Sequence, residues 1–282
     1  PDSPTPNETP QPKATDGSVA ILLCTYNGAK FLEQQLQSIC DQNHKNWQIW
    51  VSDDGSTDTT LDVIGRFESL LPPETLLVKA GPGKGSTRNF LSLACDEQIT
   101  AQWYAFCDQD DIWERDKLSR AIHWLEKVPS NIPALYCTRT RMVDEQGHQI
   151  GFSPLFSKPP SFKNALLQNI ANGNTMVFNQ AAIDLLREAG AELEVVIHDW
   201  WLYLIVTSCG GRVFYDAHPS IRYRQHASNL IGANDRLRQR LARLKSLWDG
   251  NYRIWNDTNI QAIRNISNRI TPNNLIVLNN FC

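Results

Sequence analysis

The segment Phe106-Cys107-Asp108-Gln109-Asp110-Asp111-Ile112-Trp113 sets three carboxylates within four residues, directly behind the apolar run Trp103-Tyr104-Ala105-Phe106. A buried strand that ends in so much negative charge calls for a cation to neutralise it. Oxygen ligands on a short loop suit a hard divalent ion, Mg2+ or Mn2+, which typically shares its shell with phosphate oxygens. The ordinary alternative is a helix start whose acids favour the macrodipole. The chemistry to look for is a metal beside a phosphorylated ligand.

Five other segments carry chemistry, each beside a plainer reading. In Asp53-Asp54-Gly55-Ser56-Thr57-Asp58, Asp-Gly makes a turn and Ser56 or Thr57 can cap a helix. A carboxylate there can equally accept hydrogen bonds from a pyrimidine imide or a ribose hydroxyl. Thr25-Tyr26-Asn27-Gly28 contains the common Asn-Gly turn. Lys84 and Arg88 stand where a loop meets a helix start, a phosphate-facing position, although solvated charge explains Lys84 as well. His198-Asp199 opens a helix beside Trp200 and Trp201, so Asp199 reads either as a capping carboxylate or as a site residue. His226, alone in Tyr223-Arg224-Gln225-His226, reads by itself as a surface histidine.

These residues need elements to hold them. Residues 19–24 form a continuous apolar run, as expected of a strand buried on both faces, and Phe31, Leu32, Leu36, Ile39 and Cys40 then recur at helical spacing. Strands follow at 47–51, 75–78 and 102–107, with helical patterns between them, and further strands at 134–142 and 175–178. Residues 145–148 read as a turn and 197–209 as a helix. Strand–helix alternation with short connections predicts an α/β fold with a mostly parallel sheet flanked by helices. In that architecture ligands bind at the carboxyl ends of the strands, and the loops at Thr25, Asp53 and Asp108 all lie on that edge. Beyond Gly232, Leu237, Leu241, Leu244 and Trp248 make an amphipathic helix rich in arginine.

Composition narrows the class. The chain has 282 residues, 41% hydrophobic and 20% charged, with a net charge of −3, values of a soluble globular protein with no reason to bind nucleic acid. No apolar run reaches the length of a membrane span. Seven cysteines without CxxC pairs read as free thiols in a reducing compartment. The Pro-rich opening, residues 1–17, reads as a disordered leader.

Taken in order, Leu23-Cys24-Thr25-Tyr26-Asn27-Gly28, Val51-Ser52-Asp53-Asp54-Gly55-Ser56-Thr57-Asp58, Cys107-Asp108-Gln109-Asp110-Asp111-Ile112-Trp113, Asn172-Gly173-Asn174-Thr175, His198-Asp199-Trp200-Trp201 and Tyr223-Arg224-Gln225-His226 resemble the family 2 glycosyltransferases, inverting nucleotide-sugar enzymes of the GT-A fold. The subgroup most similar is the bacterial rhamnosyltransferase-like enzymes of surface polysaccharide assembly. The resemblance spans residues 19–232 and implies a Rossmann-like GT-A domain over 18–232. Its nucleotide-binding half would be 18–112 and its acceptor half 113–232, with a C-terminal helical extension over 233–282.

The resemblance also implies roles. Thr25, Tyr26 and Asn27 fall in the first nucleotide loop, Asp54 matches the base-contacting carboxylate, and Arg88 borders the nucleotide. Asp108 and Asp110 match the DxD pair, Asp108 toward the ribose and Asp110 on the metal, with His226 completing the metal shell. Asp199 falls where the family carries its catalytic base, usually within a Glu-Asp pair; His198 replaces the Glu, which leaves its own role open. Asn174, His198, Trp113 and Trp200 are expected along the substrate, the indoles offering faces for sugar stacking. The implied cofactor is Mg2+ or Mn2+. The implied donor is a nucleoside-diphosphate sugar, dTDP-rhamnose ahead of a UDP-sugar, and the acceptor a glycan or polyprenyl-linked glycan. The implied location is cytoplasmic, with the arginine-rich tail as a route to peripheral contact with the inner membrane face. Two rivals remain: a sugar nucleotidyltransferase, disfavoured because residues 25–30 are poor in glycine, and a non-catalytic carbohydrate-binding subunit, disfavoured because all the acids are present.

Overall fold

The computed structural model describes residues 17–226 and 251–281. The leader expected over 1–17 lies almost wholly outside them, as does the amphipathic pattern through Leu237 to Trp248.

The first strand, β1 (Val19–Thr25), is buried along its whole length. Alternate side chains point to opposite faces of a sheet, and β1 feeds two separate cores accordingly. Val19, Ile21 and Leu23 enter one cluster, Ala20, Leu22 and Cys24 the other. Helices α1 (Ala29–Cys40), α2 (Thr60–Leu70) and α4 (Lys117–Leu125) cover the first face with Leu32, Leu36, Ile64, Phe67 and Leu118. Helices α3 (Ser86–Ala94), α5 (Phe162–Ala165), α6 (Gln180–Ala189) and α7 (His198–Ser208) cover the second with Phe90, Phe162, Ile183 and Trp201. The continuous apolar runs in the sequence are therefore strands with a helical layer on each side.

The main sheet has seven strands. Around β1 lie β2 (Trp47–Asp53), β3 (Leu76–Ala80) and β4 (Trp103–Cys107), all parallel to it. Beyond β4 comes β9 (Val177–Asn179), which runs antiparallel to both β4 and β6 (Ala134–Thr138), and β10 (Arg212–Asp216) closes the edge parallel to β6. This is the α/β architecture that the alternation predicts.

One expectation is corrected. The single strand expected over 134–142 is two: β6 ends at Thr138, and β7 (Arg141–Val143) belongs to a second sheet. That sheet orders β5 (Ile112–Trp113), β11 (Ile221–Arg224), β7 and β8 (Gln149–Phe152). The chain leaves the main layer between Thr138 and Arg141, where the buried Thr138 hydroxyl meets the Ser220 hydroxyl at 2.9 Å. Period-two patterning continues across the break, so hydropathy alone does not register it. The small sheet pairs β5 with β11, Trp113 opposite Ile221, and so brings a segment more than a hundred residues downstream beside the acidic loop.

Past the gap, α8 (Asn251–Arg264) buries Ala262 and Ile263 in the core of α7, and Leu278 of α9 (Pro272–Phe281) joins the same cluster. No helix among the described residues is long and apolar enough to cross a membrane. Cys24, Cys40, Cys95, Cys107, Cys137 and Cys209 are all unpaired, as expected of free thiols.

At the amino edge of the parallel strands, away from the acidic loop, the buried Asn179 side chain holds three backbone groups. Its Oδ1 accepts from Ala182, capping α6, and from Ala134, while its Nδ2 donates to Ile132 O. Asn179→Ala should lower unfolding free energy in urea by about 2–4 kcal/mol, since it removes a cap and strands two buried groups. A loss below about 0.5 kcal/mol would show that water satisfies those groups instead.

Candidate active site

Three loops meet at the carboxyl edge of β1, β2 and β4, and their own hydrogen bonds lock them together. Asp53, at the end of β2, is buried and accepts from Thr25 Oγ1 at 2.8 Å, Ser56 Oγ at 2.6 Å and the Ser56 N–H at 2.8 Å. Its role is to shape the turn. Asn27 takes a positive φ of 49°, which asparagine tolerates better than most residues, and its Oδ1 accepts the Thr57 N–H at 2.8 Å. Gln109, between the two acids, grips the Tyr26 backbone twice: Oε1 accepts from its N–H at 2.9 Å and Nε2 donates to its carbonyl at 3.0 Å. Tyr26 itself is left 57% exposed.

Asp54 closes a neighbouring loop. Its two oxygens accept the N–H groups of Gly83 and Gly85, each at 2.7 Å, at the entry to α3. A side chain at Gly81 would stand 2.8 Å from Asp54 Oδ1 and 2.7 Å from Asn89 Oδ1, so the close fit of loop and carboxylate requires glycine there. Each carboxylate oxygen retains a second lone pair for a ligand.

The acids of the 108–111 loop crowd together. Asp108 is pushed well above the usual carboxylate range by burial, then by the charges of Asp110 and Asp199. Asp199, on a helix distant in sequence, thus lies close enough for its charge to act on Asp108. His226 Nε2 lies 2.8 Å from Asp110 Oδ2, delivered by β11, and both side chains keep a little exposure, 9% and 23%. An imidazole and a carboxylate at that separation fit one side of a divalent cation's shell, and a cation there would offset the repulsion that raises Asp108. No group of three or more His, Cys, Asp or Glu side chains among the described residues is arranged to hold a metal by itself. The set fits a cation whose remaining ligands come from a phosphorylated molecule and water.

Asp199 sits in the first turn of α7. Its Oδ2 accepts the Gly173 N–H at 2.9 Å and its Oδ1 the Trp200 N–H at 2.6 Å. Burial raises its pKa to about 6, with those hydrogen bonds pulling the other way. The result is a carboxylate more basic than usual yet ionised near neutrality, suited to accept a proton. Gly173 has no room for a side chain, since a Cβ would stand 2.8 Å from His198 Nε2 and 3.2 Å from Asp199 Cβ.

Several expectations for the substrate side are corrected. Trp113 is 3% exposed with the Lys117 ammonium 4.2 Å from its ring centre, so its face is occupied by protein. Trp200 is buried too, and its indole N–H donates to Ala165 O at 2.7 Å. Neither offers a stacking surface to a sugar. His198 is buried against Phe90, stacked at 4.0 Å, and edge-on to Phe106 at 5.0 Å. Burial drops its pKa to about 3, so it is a neutral ring within the core. Asn174 donates to Asp111 at 2.5 Å, behind the site. The two cations expected to face phosphate are both tied to the segment after α6: Arg88 donates to Ala191 O at 2.7 Å, and Lys84 lies 3.3 Å from Glu192. Gln109, Asp111 and Gly173, by contrast, had no individual role assigned from sequence and are integral to the geometry.

Comparison with known proteins identifies the family and the fold. The model of the Glycosyl transferase family 2 matches residues 20–186. The chain is 30% identical over 235 residues to a Shigella flexneri protein named dTDP-rhamnosyl transferase RfbG, covering 79% of this chain and 78% of that one. It is 25% identical over 223 residues to an Escherichia coli UDP-Glc:alpha-D-GlcNAc-diphosphoundecaprenol beta-1,3-glucosyltransferase, WfaP, covering 77% and 80%. Among solved structures, S. aureus TarS in complex with UDP-GlcNAc superposes with a TM-score of 0.57 at 16% identity, covering 89% of this chain and 72% of that one. A Pyrobaculum calidifontis mannosyltransferase in complex with GDP-Man and Mn2+ gives 0.54 at 19%, covering 93% and 77%. These likenesses in structure establish the GT-A fold, and the family match, over more than half its length, establishes that this chain is a glycosyltransferase of family 2.

Proposed function

We propose that the protein is an inverting transferase that moves a hexose, L-rhamnose first among the candidates, from a nucleoside diphosphate to a hydroxyl of a glycan or polyprenyl-linked glycan in bacterial surface polysaccharide synthesis. The observation that carries this reading is that Asp108 is close enough to feel both Asp110, held against His226, and Asp199, from the distant start of α7. The name of the S. flexneri relative supports dTDP-L-rhamnose, and that of the E. coli relative supports a diphosphate-linked lipid acceptor and keeps a UDP-sugar in play.

In this reading residues 18–112 hold the nucleotide, 113–232 the acceptor, and 233–282 form an extension. Thr25, Tyr26, Asn27 and Asp54 border the base and ribose, Asp108 lies toward the ribose, and Arg88 stays near enough to the loop to be recruited from Ala191. Asp110 and His226 are the residues that would hold Mg2+ or Mn2+, whose contribution when bound is to neutralise charge on the departing diphosphate. Asp199 removes the proton of the acceptor hydroxyl as that oxygen forms its bond to the sugar C1. The C1–O bond to the diphosphate breaks, its electron pair stays with the phosphate oxygen, and the single displacement inverts the anomeric carbon. Gly173 and the start of α7 hold the base in place. The enzyme would work at the cytoplasmic side of the membrane, in peripheral contact with it.

Asp199→Asn should retain nucleoside-diphosphate affinity while kcat falls by about 10³-fold or more, read as nucleoside diphosphate released from a panel of nucleotide sugars with acceptor. Near-normal transfer by this variant would remove Asp199 from the role. Consumption of added inorganic diphosphate, with nucleoside triphosphate and sugar 1-phosphate formed from the sugar nucleotide, would instead favour the nucleotidyltransferase, and no consumption of any sugar nucleotide would favour the binding subunit.

The pH dependence follows from the raised pKa. A base must be ionised, so kcat/KM should climb about tenfold per pH unit below about 6 and level off above it. A profile still flat at pH 5 would contradict a buried Asp199 as the titrating base. Gly173→Ala, which drives a methyl group against His198 and Asp199, should lower kcat at least about tenfold; an unaffected rate would show that the turn can yield without moving the base.

A further inference from the structure

Asp111, the last acid of the loop, is fully buried, and both of its oxygens are engaged. Oδ2 accepts from Asn174 Nδ2 at 2.5 Å, and Oδ1 accepts the Arg224 N–H at 3.2 Å, partners 63 and 113 residues away along the chain. Each partner leads directly to one end of the site. Asn174 follows Gly173, whose N–H holds Asp199 at 2.9 Å. Arg224 precedes His226 by two positions, and His226 holds Asp110 at 2.8 Å. The Arg224 guanidinium binds the same ensemble from outside, donating to Asp110 O at 3.1 Å, Glu145 O at 2.6 Å and Gln34 Oε1 at 2.5 Å. Buried Lys117, over the Trp113 ring, donates to Thr175 O at 3.4 Å and completes the layer beneath the loop.

A carboxylate buried beside two others is a poor way to stabilise a fold, because desolvation and like-charge repulsion offset what its hydrogen bonds contribute. What it does supply is distance. One rigid side chain joins the turn under the base to the end of the strand that leads to the histidine of the phosphate end. We infer that Asp111 is a positioning residue that sets the separation between Asp110–His226 and Asp199. The inference rests on the assignment of Asp199 as base and Asp110 as the phosphate-side ligand. A displacement at carbon requires the incoming oxygen and the leaving diphosphate in line, so a shift of about 1 Å between the two ends lowers turnover by about 10²-fold with little effect on nucleotide docking.

The swap of the hydrogen-bonded pair tests this. In Asp111→Asn, the amide oxygen still accepts the Arg224 N–H, but the NH2 group now faces the NH2 of Asn174. Adding Asn174→Asp restores a donor–acceptor pair at the same place. Turnover would be followed with dTDP-L-rhamnose or UDP-glucose, whichever the wild type consumes, and affinity with dTDP and UDP by calorimetry. The expected result is a kcat at least about tenfold lower for Asp111→Asn, a nucleotide Kd within about twofold of wild type, and recovery of most of the lost kcat in the double variant. Unchanged kcat in Asp111→Asn, or a loss that the double variant does not recover, would overturn the inference. Should Asp111→Asn fail to fold, Asn174→Ala removes the same bond while keeping the buried carboxylate, and is judged by the same split between kcat and Kd. Asp199→Asn, measured alongside, separates the two levels of the argument. If it is active, the base assignment falls and this inference with it; if it is inactive while Asp111→Asn is unimpaired, only the positioning role falls.

Discussion

Negative charge held at a dry sheet edge is the constraint on which this molecule depends. Six aspartates gather around the ends of β2 and β4 and the start of α7, and most are restrained by the protein's own donors. Asp53 is held by Thr25 and Ser56, Asp54 by the N–H groups of Gly83 and Gly85, Asp111 by Asn174 and Arg224, and Asp199 by Gly173 and Trp200. Asp108, driven upward in pKa by its neighbours, and Asp110, against the His226 imidazole, complete the group. A site so arranged is poor at tolerating a neutral ligand and well prepared for a cation that arrives with a phosphorylated one.

The topology explains how such charges are collected. Parallel strands deliver their carboxyl ends to one edge, which places the loops after β1, β2 and β4 side by side. The small second sheet adds what the main sheet cannot reach, because pairing of β5 with β11 carries His226 back to the acidic loop. Helix α7 brings in Asp199, its length buried so that this side chain has little freedom to move. Helix α8 packs on that same core, so at least this part of the extension supports the helix that carries Asp199.

Much of this was legible in the residues themselves. The buried-on-both-faces character of β1 and the position of the acids immediately after strands follow from apolar runs and charge, and these fixed the fold class and the edge where the site lies. The order of six short motifs supplied the family. What escaped was decided by tertiary contacts. Trp113 and Trp200 looked like sugar-stacking faces because an indole next to an acid resembles one in sequence, yet Lys117 and the Ala165 carbonyl take those surfaces. Arg88 and Lys84 looked poised for phosphate until residues 191 and 192, a hundred positions away, were found holding them. Gln109 and Asp111 sat inside the most informative segment and still carried no separate signal, since the difference between a loop clamp, a buried strut and an open ligand lies in where each side chain points.

The central claim, that these acids serve a cation-anchored diphosphosugar, is most directly tested by titrating dTDP and UDP into the protein calorimetrically with Mn2+ and again with EDTA, for wild type and Asp110→Ala. The account predicts nucleotide affinity at least about tenfold tighter with Mn2+ in the wild type, and loss of that enhancement in the variant. Equal affinity in all four arms would contradict it.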